Sequence, residues 1–165
     1  MKIAREVFNF QWGSLGVGVY VLVVELLEDA VLKTRGGRVF ELRPGIYFYV
    51  GSALGSGGVE ARVKRHLSRR NKMFWHIDYL TSHPSARLIG YYVVETEEYL
   101  ESLVASLLSK LFSPIPGFGS SDDPLNKTHL FRCEECVEDC LSRVRGVLGD
   151  LGCKVKFKRI AKLRV

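Results

Sequence analysis

The hydrophobic pattern changes rhythm several times along the chain, and each change predicts an element. Gly18–Glu25 is apolar at almost every position and rich in Val and Tyr, which predicts a strand. Ala30–Lys33 and Arg38–Leu42 flank Thr34-Arg35-Gly36-Gly37, a hairpin signal. After Pro44-Gly45 comes a short aromatic strand, Ile46–Val50, followed by Gly51–Gly58, whose four glycines and two serines read as a loop or tight turn. The period then lengthens. Val59, Val63 and Leu67 recur at four-residue spacing and predict a helix, with Arg62, His66 and Arg70 on an adjacent stripe.

Phe74–Ser82 is a second, short helix stopped by Pro84, with Trp75 and Tyr79 assigned to the core, and Arg87–Glu95 is a β-branched strand. Thr96 is placed as the N-cap of a helix Glu97–Phe112, whose apolar face holds Leu100, Leu103, Val104, Leu107, Leu108 and Leu111. Ser113–Leu125 is expected to be a Pro/Gly/Ser loop outside the core. Glu134–Leu148 reads as the last helix and Lys154–Phe157 as a final basic strand. With no internal repeat and no dividing linker, the expectation is one α/β (α+β) domain over residues 1–165: a small, mainly antiparallel sheet with packed helices.

Composition narrows the function classes. The 165 residues carry a formal net charge of +6, and the positive charge is clustered. Arg62–Lys72 holds six Lys or Arg and no acid, the tail Lys154–Val165 holds six more, and Glu134, Glu135, Glu138 and Asp139 form an acidic patch. Clustered basic charge points to a polyanion partner. No apolar run reaches the roughly 18–20 residues that cross a bilayer. The first residues lack the apolar segment of a signal peptide, so no membrane partner and a cytoplasmic location are expected.

Hydrolysis of a phosphodiester needs a base, positive charge on the developing phosphorane and usually a hard metal ion. Arg62 and His66 stand at i and i+4 and leave one helix face together. The glycine-rich segment before them can bring backbone N–H groups close to a phosphate. Glu101 borders an apolar helix face, and such a carboxylate can hold one Mg²⁺ whose other ligands are water and substrate oxygens. Taken alone, these residues define a basic α/β domain suited to nucleic acid.

Longer strings add to this. Gly18-Val19-Tyr20 resembles the first motif of the GIY-YIG nucleases and Tyr49-Val50-Gly51-Ser52-Ala53 the second, with Arg62-x-x-x-His66 downstream. Gly45–Leu54, Gly57–Leu67, Trp75–Leu80, Gly117–Asp122 and His129-Leu130-Phe131 resemble the Uri-like branch of that superfamily, endonucleases of unassigned substrate, over about residues 16–131. Residues 132–165 add the C-terminal helix and basic strand. The resemblance implies a GIY-YIG-type sheet and a metal-dependent endonuclease acting on DNA. Its catalytic set would be Tyr20, Tyr49, Arg62, His66 and Glu101, with Glu101 holding a single Mg²⁺ or Mn²⁺. Arg62 would stabilise phosphate charge and Tyr20 would act as the general base, its pKa lowered by Arg62 and the metal. Nucleic acid would be bound by Gly51, Ser52, Lys64, Arg65, Arg69, Arg70, His76, Asp122 and His129.

Three departures bear on the site. The long spacing from Tyr20 to Tyr49 implies an inserted hairpin around Gly36-Gly37, and Tyr47 shares a strand face with Tyr49, leaving the catalytic pair open. Asp123 stands where the Uri-like pattern usually has Cys. Cys133, Cys136, Cys140 and Cys153, spaced C-x2-C-x3-C-x12-C, leave zinc, a disulfide and reduced thiols all open. Zinc is the weaker reading because the second half-site is irregular. Competing functions are a non-cleaving nucleic-acid-binding module on the same fold and a zinc-stabilised interaction domain.

Overall fold

The computed structural model of the chain describes residues 16–68 and 73–160. Its centre is β1 (Gly18–Leu26), paired antiparallel with β4 (Gly45–Ala53) on one side and β5 (Ala86–Glu95) on the other. β6 (Ser113–Pro114) and β7 (Leu130–Cys133) extend the sheet beyond β4, and β8 (Lys154–Arg159) extends it beyond β5, giving the order β6-β7-β4-β1-β5-β8 with antiparallel neighbours throughout. β2 (Ala30–Lys33) and β3 (Val39–Leu42) form a separate two-stranded hairpin. The fold is α+β with a mainly antiparallel sheet, as the sequence pattern predicts.

The unbroken apolar run of β1 follows from its place. Successive side chains point to opposite faces, and both faces are covered. Tyr20, Leu22 and Val24 join Tyr47, Tyr49, Tyr91 and Val93 in one core, closed by the hairpin, α1 (Gly58–Leu67) and α2 (His76–Thr81). Val19, Val21 and Val23 join Phe48, Val50, Tyr92 and Val94 in the other, closed by α3 (Glu101–Ser109) and α4 (Val137–Gly149).

Several expected elements differ in ways that matter for the site. β4 runs on through Gly51 to Ala53, so the glycine-rich loop is shorter than its composition implies. α3 starts at Glu101, not Glu97. Thr96 Oγ1 accepts the Glu98 N–H at 3.0 Å, a local turn that competes with capping. Glu101 is thereby the first helical residue, at the positive end of the helix dipole. The Ser113–Leu125 segment is not outside the core. Phe118 is fully buried, edge-on to Phe40 at 4.9 Å between ring centroids. β7 is a strand the pattern did not announce, since its four residues are interrupted by Arg132. The last helix begins at Val137 rather than Glu134.

Of the states open to the cysteines, a disulfide and free thiols are both present. Cys133 on β7 is bonded to Cys140 on α4, while Cys136 is exposed and Cys153 half-buried. Among the described residues no group of three or more His, Cys, Asp or Glu side chains is placed to hold a metal ion. No helix among them is long and apolar enough to cross a membrane.

Candidate active site

β1 and β4 place two phenols on the same sheet face. Tyr20 stands opposite Gly51 in the antiparallel register, and Leu22 opposite Tyr49, so the tyrosines are diagonal neighbours. The missing side chain at Gly51 makes this possible. A Cβ there would collide with Cζ and Oη of Tyr20 and lie 2.8 Å from Cε2. Gly51 is therefore the bed on which the Tyr20 ring lies. Tyr47 shares the face but not the site, because its hydroxyl donates to the Arg43 carbonyl at 2.6 Å. The pair in the cleft is Tyr20 and Tyr49.

α1 contributes Arg62 and His66 at the expected spacing, in different environments. His66 is buried behind Tyr20, its Nε2 3.0 Å from the Tyr20 hydroxyl. Its Nδ1 lies 3.4 Å from Asp78 Oδ1, close but without hydrogen-bond alignment. A carboxylate facing Nδ1 favours the tautomer protonated there, which leaves Nε2 to accept the Tyr20 proton. Asp78 Oδ2 accepts the backbone N–H groups of Phe74 and Trp75 at 2.9 and 2.8 Å, so the residue that orients His66 also caps α2. Burial alone would raise the Asp78 carboxyl, but His66 and those N–H groups outweigh it and hold it below its usual range. Tyr20, His66 and Asp78 form a file from the cleft into the core.

Burial pushes both phenols well above the ordinary value of 10.0. Tyr49 adds to the shift at Tyr20, Glu101 and Asp78 add to both, and Arg62 pulls the other way without prevailing. Arg62 acts on Tyr20 in the expected direction, lowering its pKa, but burial outweighs it and the net shift is upward. A low-dielectric site penalises the phenolate more than one guanidinium repays. Arg62 is itself held over the Trp75 ring, 4.6 Å from its centroid.

Across the cleft, Glu101 opens α3 and pairs with His129, the residue just before β7. Glu101 Oε1 lies 3.1 Å from His129 Nδ1, off hydrogen-bond alignment, and His129 Nε2 meets Asp123 Oδ2 at 2.8 Å. Burial opposes a charge on His129, but the flanking carboxylates Glu101 and Asp123 prevail and raise its pKa above 6.5. Asp123 also accepts from the Leu125 N–H at 2.9 Å and Asn126 Nδ2 at 2.8 Å. Against the opposing effect of burial, His129 and these donors lower its pKa to about 2. His129, buried between the two carboxylates, thus links the helix carboxylate to the loop that precedes β7. Gly119 in that loop, at φ 69°, lies against Tyr49, and its N–H donates to His76 Nδ1 at 2.9 Å. Burial, aided by Arg38, lowers the His76 pKa.

These groups line one cleft of about 510 Å³. Of the sequence-predicted residues, Tyr20, Tyr49, Gly51, Ser52, Arg62, His76, Glu101, Asp122 and His129 reach its wall, and His66 stands just behind. Lys64 and Arg65 do not line it: Lys64 pairs with Glu60 at 2.8 Å and Arg65 lies 4.0 Å from the Trp75 centroid. Arg69 and Arg70 fall outside the described residues. Sequence reasoning missed the roles of Asp78 and Asp123. The one available signal was the Asp at 123 in place of the pattern's Cys, six residues before His129.

No curated protein and no solved structure matches the chain. The family model described as Domain of unknown function DUF123 matches residues 19–149, from within β1 to the end of α4. With most of its length matched, the chain belongs to the DUF123 family.

Proposed function

We propose that the chain is a divalent-metal-dependent endonuclease of the GIY-YIG type, hydrolysing phosphodiester bonds in DNA. The observation that carries this reading is the convergence of two tyrosines, an arginine and a carboxylate on one cleft, from the four separate elements β1, β4, α1 and α3. Phosphate binding alone calls for positive charge. A carboxylate facing the same space is unfavourable for it unless a cation intervenes.

Glu101 fits a hard cation bound through a single protein carboxylate. One oxygen is held by His129, the side chain is 35% exposed to the cleft, and the start of α3 favours its negative charge. Mg²⁺ or Mn²⁺ bound there would supply Lewis-acid stabilisation of phosphorane charge. The chain's own groups do the rest. Arg62, stacked on Trp75, sets its guanidinium against a phosphate oxygen. The Tyr20 oxygen takes a proton from the attacking water as its own phenolic proton passes to His66 Nε2, 3.0 Å away. That relay lets a phenol of high pKa act as a base without a standing phenolate.

The test is incubation of the full chain with labelled duplex, single-stranded, flapped and junction DNAs in Mg²⁺, Mn²⁺ or EDTA, with Glu101→Gln as control. Metal-dependent cutting by wild type, absent in the variant, is expected. Tight binding with no cutting of any substrate would replace the proposal with a non-cleaving binding module.

A further inference from the structure

Three large side chains at the mouth of the cleft are left to solvent: Phe74 is 74% exposed, Tyr99 91% and Leu125 79%. Single exposed apolar residues are ordinary, but these line the same cleft as Tyr20, Tyr49, Arg62 and Glu101. They come from the approach to α2, the approach to α3 and the loop before β7, so no one stray segment accounts for them. Phe74 is anchored: its N–H is held by Asp78, its ring meets Trp75 edge-on at 5.2 Å, and the Arg65 guanidinium lies 5.8 Å from its centroid. An aromatic step with its backbone held therefore projects next to Trp75, the ring that carries the arginine expected to take the phosphate. Tyr99 projects two residues before Glu101.

An undistorted duplex offers such rings no base face. Its bases are stacked on one another and present only their edges in the grooves. An unpaired strand exposes base faces next to its phosphates, and aromatic side chains beside cationic ones are the surface on which such bases stack. We infer that the cleft takes nucleic acid with unpaired bases, the bases next to the bound phosphate stacking on Phe74 and Tyr99. This deepens the endonuclease reading and rests on it for the position of the phosphate. Arg62 on the wall of the cleft and Arg65 over the Phe74 ring favour a polyanion over a protein partner for these rings.

The experiment uses the full chain in EDTA, so that binding is read without cutting, with a short fluorescent single strand and a duplex of the same sequence. A second single strand carries 2-aminopurine, whose emission reports stacking. The single strand should bind at least about tenfold more tightly than the duplex, and Phe74→Ala or Tyr99→Ala should each weaken it by about tenfold. Both should reduce the 2-aminopurine response, while Phe74→Tyr and Tyr99→Phe retain it and duplex binding changes little. Equal binding of duplex and single strand, or alanine variants that keep single-strand affinity, would overturn the inference. The latter would leave the rings to a protein partner. A parallel arm in Mg²⁺ separates this from the endonuclease reading. Ring-dependent single-strand binding without cutting defeats the endonuclease and leaves the inference standing. Equal cutting of duplex and single strand, indifferent to the rings, does the reverse.

Discussion

Replacing Asp123 with Ala should unlatch Glu101 from the loop that holds it, with a cost that depends on pH in a defined direction. Asp123 meets the Leu125 N–H, Asn126 Nδ2 and His129 Nε2 within 2.9 Å, and Ser102 Oγ at 3.2 Å. His129 is 4% exposed, so its charge has little recourse to water. Removing one partner of a buried ion pair costs roughly 3–5 kcal/mol. Here Glu101 remains and the imidazolium can shed its proton, so the expected loss is about 2–3 kcal/mol near neutral pH. The His129 pKa is raised on folding above 6.5, so its contribution is fully present below that value and lost as pH rises through the folded pKa. The Asp123 pKa falls from 3.8 to about 2, so its contribution is present above 3.8 and lost as pH falls towards 2. The clamp is therefore strongest between about pH 4 and 6.5. Urea unfolding of wild type and Asp123→Ala at about pH 5.5 and about pH 9 should show the larger gap at the lower pH. A gap below about 0.5 kcal/mol, or one that grows towards pH 9, would refute the clamp.

Three further outcomes follow from the same geometry. Gly51→Ala should displace the Tyr20 ring, costing about 1–3 kcal/mol by overpacking and more in activity than in DNA affinity; thermal melts and binding assays separate the two. Breaking Cys133–Cys140, which closes a sequence separation of 7, should destabilise by about 2 kcal/mol, so a reductant should lower the Tm of wild type but not of Cys133→Ser. Arg62→Ala should weaken phosphate binding in EDTA and slow cleavage in metal together, measured as a joint loss in Kd and single-turnover rate.

The parts legible in the sequence are those fixed by near neighbours. β1 declares itself because burial on two faces demands an unbroken apolar run, and Arg62 and His66 because helix period alone brings them to one side. The start of α3 did not, because Thr96 had two local bonding options and the Leu100–Leu111 periodicity is the same with either. The Asp78–His66 contact joins two helices across the core, and nothing in either helix specifies it. Asp123 sits in a Pro/Gly/Ser segment whose polarity resembles a surface loop. Its burial depends on Phe118 entering the core and on α3 presenting Ser102, both tertiary facts.

The most direct test of the whole account is single-turnover cleavage by wild type and Glu101→Gln, on the substrate the panel shows to be cut best. Binding in EDTA is measured on the same preparations. Glu101→Gln keeps the size of the side chain and removes the charge a hard cation needs. Its rate should fall by about two orders of magnitude or more while affinity in EDTA stays equal or rises. Near-wild-type, metal-dependent cleavage by Glu101→Gln would contradict the account, and would move the search for the metal-binding carboxylate to Asp122 on the same wall of the cleft.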